Sequence, residues 1–308
     1  MFLNRVPDLS TLEIFTVVAR TGAISKAARE LGMSQQAVSA RMRAFESTTR
    51  LAVLQRTTTG ATLTPHGKAL LEQVTRVLGA AQDLQREIEQ LSGDHVSTLE
   101  ISASQTIAEH LVPSWLMAFK RDVGQTAEGN VEVSVHVGNT QDVITFLRTQ
   151  VVELGFIESP NIPSDFSHKV IGHDQVELVV APEHPWAKLN APLSIETLVK
   201  TPLIMRETGS GTRDVLEFEV ARYGKVNVAA ALELGTTSAV RSATVAGIAP
   251  SFLSLRTVAE DLAARRLIAI PTELGQVTRP LTALWNGPVH RLSPAAQEFL
   301  RLAQRTTK

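Results

Sequence analysis

Five side chains within nine residues, Gln35, Gln36, Ser39, Arg41 and Arg43, stand out in the stretch MSQQAVSARMRAFE because each suits a base edge or a phosphate. Glutamine offers a donor beside an acceptor, as an adenine edge requires; serine adds a short hydroxyl; arginine offers a fork for guanine or a phosphate oxygen. Ala37, Val38, Met42 and Phe45 recur among them at helical spacing. The polar set would therefore occupy the outer face of one helix whose N-terminal end enters the major groove. Ser34, just before it, is a good N-cap. Further on, RLAVLQRTTTGATL holds Arg50, Arg56 and Thr57 to Thr59 as phosphate candidates.

A second chemistry is written at three later joins. SASQT carries Ser102, Ser104 and Thr106; GNT carries Asn139 and Thr140; ETGSGT carries Gly209, Ser210, Gly211 and Thr212. Hydroxyls and bare N–H groups without a run of acids suit a small anion such as a carboxylate, a phosphate or a sulfur oxyanion. Each residue alone is accounted for by helix capping; their repetition is what points to one cleft. Arg206 and Arg213 either balance such an anion or pair with neighbouring acids.

Enzymatic chemistry finds no support. The eight histidines form no HExxH-type pair, the GxxxxGK[ST] phosphate loop is absent, and nothing marks a nucleophile elbow. There are no cysteines to ligate a metal or form a disulfide. No catalytic residue, metal or cofactor is expected.

The elements that must position these groups follow from periodicity. Leu12, Phe15, Val18 and Ala19 repeat at helical spacing, as do Ile24, Ala27, Ala28 and Leu31 before Gly32 supplies a turn. A bare helix-Gly-helix pattern is either a helix-turn-helix or an ordinary surface hairpin of helices. A net basic segment, its place at a terminus, and a Gly-containing hairpin over Arg56 to Thr62, which would form a wing, favour DNA binding. Thr64 and Pro65 then start a long helix in which Leu70, Val77, Leu84 and Leu91 recur every seven residues, with Val74, Ala81 and Ile88 between them. A helix packed on its own domain gives a similar stripe. The narrow seam flanked by Gln, Arg and Glu favours a partner helix, and hence a dimer.

From about residue 94 strand-like and helix-like segments alternate. TLEISAS, VEVSVHV, VELGFIE, QVELVVAP, TPLIMRE, VAAALEL and RLIAIP read as strands, with helices between them. Alternation predicts parallel sheets with crossover helices in two α/β lobes, and a ligand in the crevice at the strands' carboxyl ends. In GIAPSFLSL, Pro250 would end a strand early or confine it to an edge.

Charge divides along the chain. Residues 1–65 hold eight Lys/Arg against four Asp/Glu, whereas residues 94–308 hold 19 against 23. A basic head on an acidic body suits a head that meets a polyanion. The apolar start is broken by Pro7, Asp8 and Glu13, and about 18 consecutive apolar residues occur nowhere, so a cytoplasmic protein without a membrane partner is expected.

In order along nearly the whole chain, AARELGMSQQAVSARMRAFE, LTPHG, the heptad helix, LVP, GNTQDVITFLRTQVVELGFIE, MRETGSGTR and SPAAQEFL resemble the LysR-type bacterial transcription regulators. The resemblance implies an all-α winged helix-turn-helix over residues 1–64 and a dimerisation helix over 65–93. A two-lobed, periplasmic-binding-protein-like α/β effector domain would follow over 94–308, with lobe 1 at about 94–167 and 280–308 and lobe 2 at about 168–279. It implies homodimers or homotetramers on double-stranded DNA, a small-molecule effector in the cleft, RNA polymerase as a further partner, and activation or repression of nearby genes. Ser102 to Thr106 match a join that contacts the effector in that family. Where the family commonly has Pro and Arg in the reading helix, Gln36 and Ala40 stand here. Arg50 replaces the usual Gly before the wing, and Leu54 the usual Phe.

Overall fold

A computed structural model describes residues 5–57, 60–92, 98–123, 131–224 and 228–307. It divides into two compact units, an N-terminal head to about residue 95 and a body formed by most of the rest.

The head opens with α1 (Leu9–Thr21), α2 (Ile24–Glu30) and α3 (Gln35–Thr49). Asp8 caps α1, accepting from the Thr11 amide at 3.0 Å, and Ser34 caps α3, accepting from the Ala37 amide at 3.1 Å. Gly22 ends α1 at φ 65°, a conformation that costs glycine little. The apolar faces meet in one core of Leu12, Phe15, Val18, Ala27, Ala28, Val38, Met42 and Phe45, where Phe15 and Phe45 stack with centroids 4.5 Å apart.

The hairpin β1 (Leu54–Thr57) and β2 (Gly60–Leu63) follows, pairing Leu54 with Leu63. Thr58 and Thr59 lie outside the described residues. α4 (Pro65–Ser92) starts against this hairpin: the Thr64 hydroxyl accepts from the Gly67 amide at 3.0 Å and donates to the Ala52 carbonyl at 2.7 Å. Gly67 is required there, because a Cβ would overlap the Val53 carbonyl.

The heptad stripe of α4 divides in two. Leu70 and Val74, assigned to the partner seam from spacing, pack with Leu71 and Leu78 onto the head's own core instead. Val77, Leu84 and Ile88 are 43%, 62% and 56% exposed, and Ala81 is half-buried. The side chain of Leu91 lies outside the described residues.

The body contains β3 (Thr98–Ser104), α5 (Gln105–His110), α6 (Val112–Val123), β4 (Glu132–Gly138), α7 (Thr140–Arg148), β5 (Leu154–Ile157) and β6 (Ser167–Val180). Then come α8 (Ile195–Lys200), β7 (Leu203–Arg206), α9 (Gly211–Ala221), β8 (Ala230–Leu234), α10 (Thr237–Val245), β9 (Ser251–Ser254), α11 (Leu255–Ala263), β10 (Ile268–Ala269), β11 (Val277–Trp285) and α12 (Pro294–Thr306). The sheet order is β4-β3-β5-β11-β6-β9-β7-β8, with β10 on β6.

Parallel pairs occur at both ends, β3 with β4 and β5, and β7 with β8 and β9. The expectation of parallel sheets holds at these two ends and is corrected in the middle, where β11 runs antiparallel to β5 and β6, and β6 antiparallel to β9. The reason is topological. The chain leaves one lobe along β6 and returns along β11, so two long strands must run in opposite senses, and their register shifts at Leu281/Thr282. Each lobe has its own core: Leu99, Ile101, Trp115, Phe119, Phe156 and Phe299 in the first, Leu178, Leu198, Leu203, Val215, Leu216 and Phe252 in the second.

Pro250 neither ends a strand nor marks an edge. β9 begins one residue later and lies between β6 and β7, and the Pro250 carbonyl accepts from the Ile204 amide at 2.8 Å. A proline just ahead of a strand withholds no ladder donor. No helix among the described residues is long and apolar enough to cross a membrane.

Candidate functional site

In the head, α3 presents Gln35 and Gln36 fully outward at its N-terminal end, with Ser39 half-buried and Arg43 exposed. At about 100° per residue Gln36, Ser39 and Arg43 share one stripe beside the buried face of Val38, Met42 and Phe45, and Gln35 lies at the edge of that face. Arg41 falls off that stripe. Its guanidinium donates to the Thr11 hydroxyl at 3.3 Å and lies 3.6 Å from the Asp8 carboxylate, joining α3 to the start of α1. Hydrogen bonds from the Thr11 hydroxyl and amide hold the Asp8 carboxyl below the usual carboxylate range, against a small opposing effect of burial, and Arg41 assists. The Ser34 hydroxyl is occupied as a cap. Arg56 and Thr57 belong to β1, and their side chains lie outside the described residues.

Arg50 is the C-cap of α3 at φ 58° and ψ 31°. A side chain other than glycine is strained there by about 1 kcal/mol, so Arg50→Gly should stabilise the head by up to about 1 kcal/mol. Thermal unfolding followed by circular dichroism is the check; a lower midpoint would count against the assignment. If Arg50 also meets a phosphate, the variant should flatten the salt dependence of DNA binding by about one unit of log–log slope.

In the body, the three hydroxyl-rich joins come to where the two lobes meet, but most of their polar groups are already engaged. Ser102 faces sideways in the sheet and donates to the His136 carbonyl at 2.9 Å. Ser104 donates to the Glu158 carboxyl. Thr106 and Thr212 accept from Arg279 at 3.4 and 3.0 Å. Asn139 caps α7, accepting from the Asp142 amide at 3.0 Å, and donates across the cleft to Glu207 at 3.1 Å. Gly209 stands at φ 90°, and its carbonyl accepts from the Gln141 amide at 3.3 Å.

Two hydroxyls differ. Ser210 is buried and is the N-cap of α9 without a capping bond from its side chain. Thr140 is 4% exposed, and its Oγ1 has no hydrogen-bond partner among the described residues. That oxygen faces Gly211, where a Cβ would sit 3.0 Å from it and would overlap the Glu158 carbonyl.

Arg206 pairs with Glu207, donating twice at 2.8 Å, and donates to the Thr237 hydroxyl at 2.6 Å. Burial opposes ionisation of Glu207, but the hydrogen bonds and charge of Arg206 outweigh it and hold the carboxyl below its ordinary value. Arg213 pairs with Glu217 and Glu233, each at 2.7 Å. Both arginines are thus ion-paired. Further bonds close the cleft: Gln105 donates to the Gly235 carbonyl at 3.0 Å and accepts from the Thr237 amide at 2.8 Å, and Ser159 donates to Asp214 at 3.2 Å.

Residues 9–68 match the family model of the bacterial regulatory helix-turn-helix protein, lysR family, and residues 92–308 match the LysR substrate binding domain. This chain belongs to the LysR family of transcriptional regulators. The HTH-type transcriptional regulator Rv2282c of Mycobacterium tuberculosis is 36% identical over 288 residues, 92% of each chain. YeiE of Escherichia coli is 30% identical over 292 residues, 95% of each. Among solved structures, a full-length OxyR variant from Pseudomonas aeruginosa shares the fold with a TM-score of 0.63 at 20% identity, covering 98% of this chain and 96% of that one. The protein is a DNA-binding transcriptional regulator with an effector-binding domain, and not an enzyme.

Sequence reasoning missed the centre of this LysR-type body. Arg279, Asp174 and Glu158 are buried together, with Arg279 105 and 121 residues away from the two acids in the chain. The available signal was local: Glu158 ends the apolar run LGFI, and Arg279 interrupts the apolar strand VTRPLTALW. A charge at such a position is buried, and buried charges come in sets.

Proposed function

We propose that this regulator reads a specific DNA site with Gln35, Gln36, Ser39 and Arg43 and responds to a small anion seated in the cleft of its body. The observation that carries the effector reading is the Thr140 hydroxyl, buried and unpartnered against the first turn of α9. The first N–H groups of a helix have no partner within it, and the helix dipole favours negative charge there. α9 spans 11 residues, and its N-cap side chain leaves those donors uncovered. Ser104, Thr106 and Thr212 orient the site through Glu158 and Arg279 rather than waiting for a ligand.

The protein acts as a homodimer or homotetramer. Val77, Ala81, Leu84 and Ile88 keep the alternating four and three spacing of a coiled-coil seam and stand open on α4, so a second α4 would cover them. Residues 1–64, 65–93 and 94–308 serve as reader, dimerisation helix and effector domain, with the lobes exchanging strands within β6 and β11. Arg50, Arg56 and Thr57 supply phosphate contacts, the complex answers to RNA polymerase on the same promoter, and its place is the cytoplasm where that DNA lies.

The test of the reader is retention of sheared genomic DNA at near-physiological salt, followed by sequencing. Sites sharing an inverted repeat are expected. On such a site Gln35→Ala or Gln36→Ala should cost about 1–3 kcal/mol while binding to random DNA is unchanged. Equal losses on both DNAs would remove the base-reading role. A panel of small anions scored by thermal shift of the full chain tests the effector reading, and a flat panel would sink it.

A further inference from the structure

Two carboxyls and one guanidinium are packed together where β5, β6 and β11 meet. Glu158 and Asp174 are each 3% exposed and Arg279 is fully buried. Arg279 gives both its Nε and Nη2 donors to Asp174, at 2.9 and 2.8 Å. Asp174 also accepts from the Ser254 hydroxyl at 2.8 Å and has Arg256 at 3.6 Å. Its charge is matched. Glu158 is left with the hydroxyls of Ser104 and Thr106 and with Arg279 Nη1 at 3.8 Å, beyond hydrogen-bond reach. The other cation that acts on it among the described residues, Arg206 on β7, is held by Glu207. Were both carboxyls ionised, the buried Glu158 charge would have no cation within hydrogen-bond reach, and such a charge takes up a proton instead. Burial is the main influence on Glu158 and drives its pKa up; Arg279 opposes this and the Asp174 charge adds to it.

The same residue adjoins the anion seat. The Glu158 carbonyl lies against Gly211, and Arg279 Nη1 spans that carbonyl at 3.5 Å and the Thr212 hydroxyl at 3.0 Å. An anion at the start of α9 and an ionised Glu158 would therefore repel each other at short range, in surroundings that screen poorly.

We propose that Glu158 makes effector binding proton-linked: the closed cleft holds it as a neutral carboxylic acid, and an anion enters together with that proton. This rests on the anion reading of the cleft. A second acid must be separated from it, since Asp214 in the first turn of α9 is also raised by burial, with the Ser159 hydroxyl opposing.

The experiment uses the full chain with sulfate as probe, because sulfate remains a dianion from about pH 5 to about pH 9. In wild type the sulfate dissociation constant should rise about tenfold per pH unit above the pKa of Glu158. In Glu158→Gln it should be independent of pH, in Asp214→Asn the slope should persist, and in Thr140→Val sulfate binding should be lost. Without sulfate, the raised folded pKa gives stabilisation that is complete below the unfolded carboxyl's value and lost as pH rises through the folded one. Wild type should accordingly lose midpoint relative to Glu158→Gln as pH rises. A wild-type slope surviving in Glu158→Gln, or vanishing in Asp214→Asn, overturns the proposal. No sulfate binding at any pH removes the anion reading and the coupling with it, while the unliganded comparison alone decides whether Glu158 holds a proton. If Glu158→Gln does not fold, the infrared spectrum of Asp214→Asn at neutral pH serves: a protonated-carboxyl band supports the proposal, and its absence overturns it.

Discussion

Arg279→Met should destabilise the body by about 3–5 kcal/mol, since removing one partner of a buried pair leaves the other charge stranded. Asp174 would lose two charge-assisted hydrogen bonds, at 2.9 and 2.8 Å, and Thr212 its donor at 3.0 Å. The double variant Arg279→Met with Asp174→Leu should recover most of the loss, because an apolar pair of similar volume replaces a buried ion pair at little cost. The measurement is unusually clean here. All three tryptophans, Trp115, Trp186 and Trp285, lie in the body, so denaturant unfolding followed by their fluorescence reports that unit alone. A change below about 1 kcal/mol in the single variant would mean that Arg279 is not the hub of the lobes. Recovery in the double variant separates a stranded charge from lost packing.

The sequence was most legible where structure is local. α1 to α3, the hairpin and α4 fall where periodicity and capping place them, because each is decided by residues within a few turns of one another. The orientation of the helix that carries Gln35 and Gln36 follows from its own residues, since its buried face is written in Val38, Met42 and Phe45. That of Arg41 does not. Its side chain belongs to α3 but its partners belong to the start of α1, Thr11 lying 30 residues away, and spacing along one helix is silent about a neighbour. The heptads failed halfway for a related reason: the same 3.5-residue repeat serves a partner helix or the helix's own domain, and α4 uses Leu70 and Val74 for the second purpose.

The cleft was legible in composition and not in wiring. Serines and threonines at strand-to-helix joins did gather where the lobes meet. Which hydroxyl stays open depended on Glu158, Asp174 and Arg279, brought together only by β6 and β11 crossing between the lobes. Among the hydroxyls named, the Thr140 oxygen is wholly buried without a partner among the described residues, and Ser210 is buried without a capping bond. A spacing rule ranks them with the others.

Phe45→Ala should abolish DNA binding altogether, and the contrast with Gln35→Ala is what gives the prediction its force. Phe45 is 1% exposed, stacked on Phe15, and forms the inner face of the helix whose outer face carries Gln36 and Arg43. Truncating such a ring costs about 3–5 kcal/mol. A unit of this size is marginal, with a net stability of about 5–15 kcal/mol at best and nearer the lower end for a short chain. The loss therefore removes most of what holds α1, α2 and α3 together. Operator and random DNA should then be released in parallel, whereas Gln35→Ala should discriminate between them. Phe45→Leu, which keeps an apolar group of useful volume, should retain most binding. The tryptophan-reported unfolding of the body should be the same as in wild type in every case. If Phe45→Ala left binding to random DNA intact, phosphate contacts would not need a folded α3, and the reading of this head as one cooperative unit would be wrong.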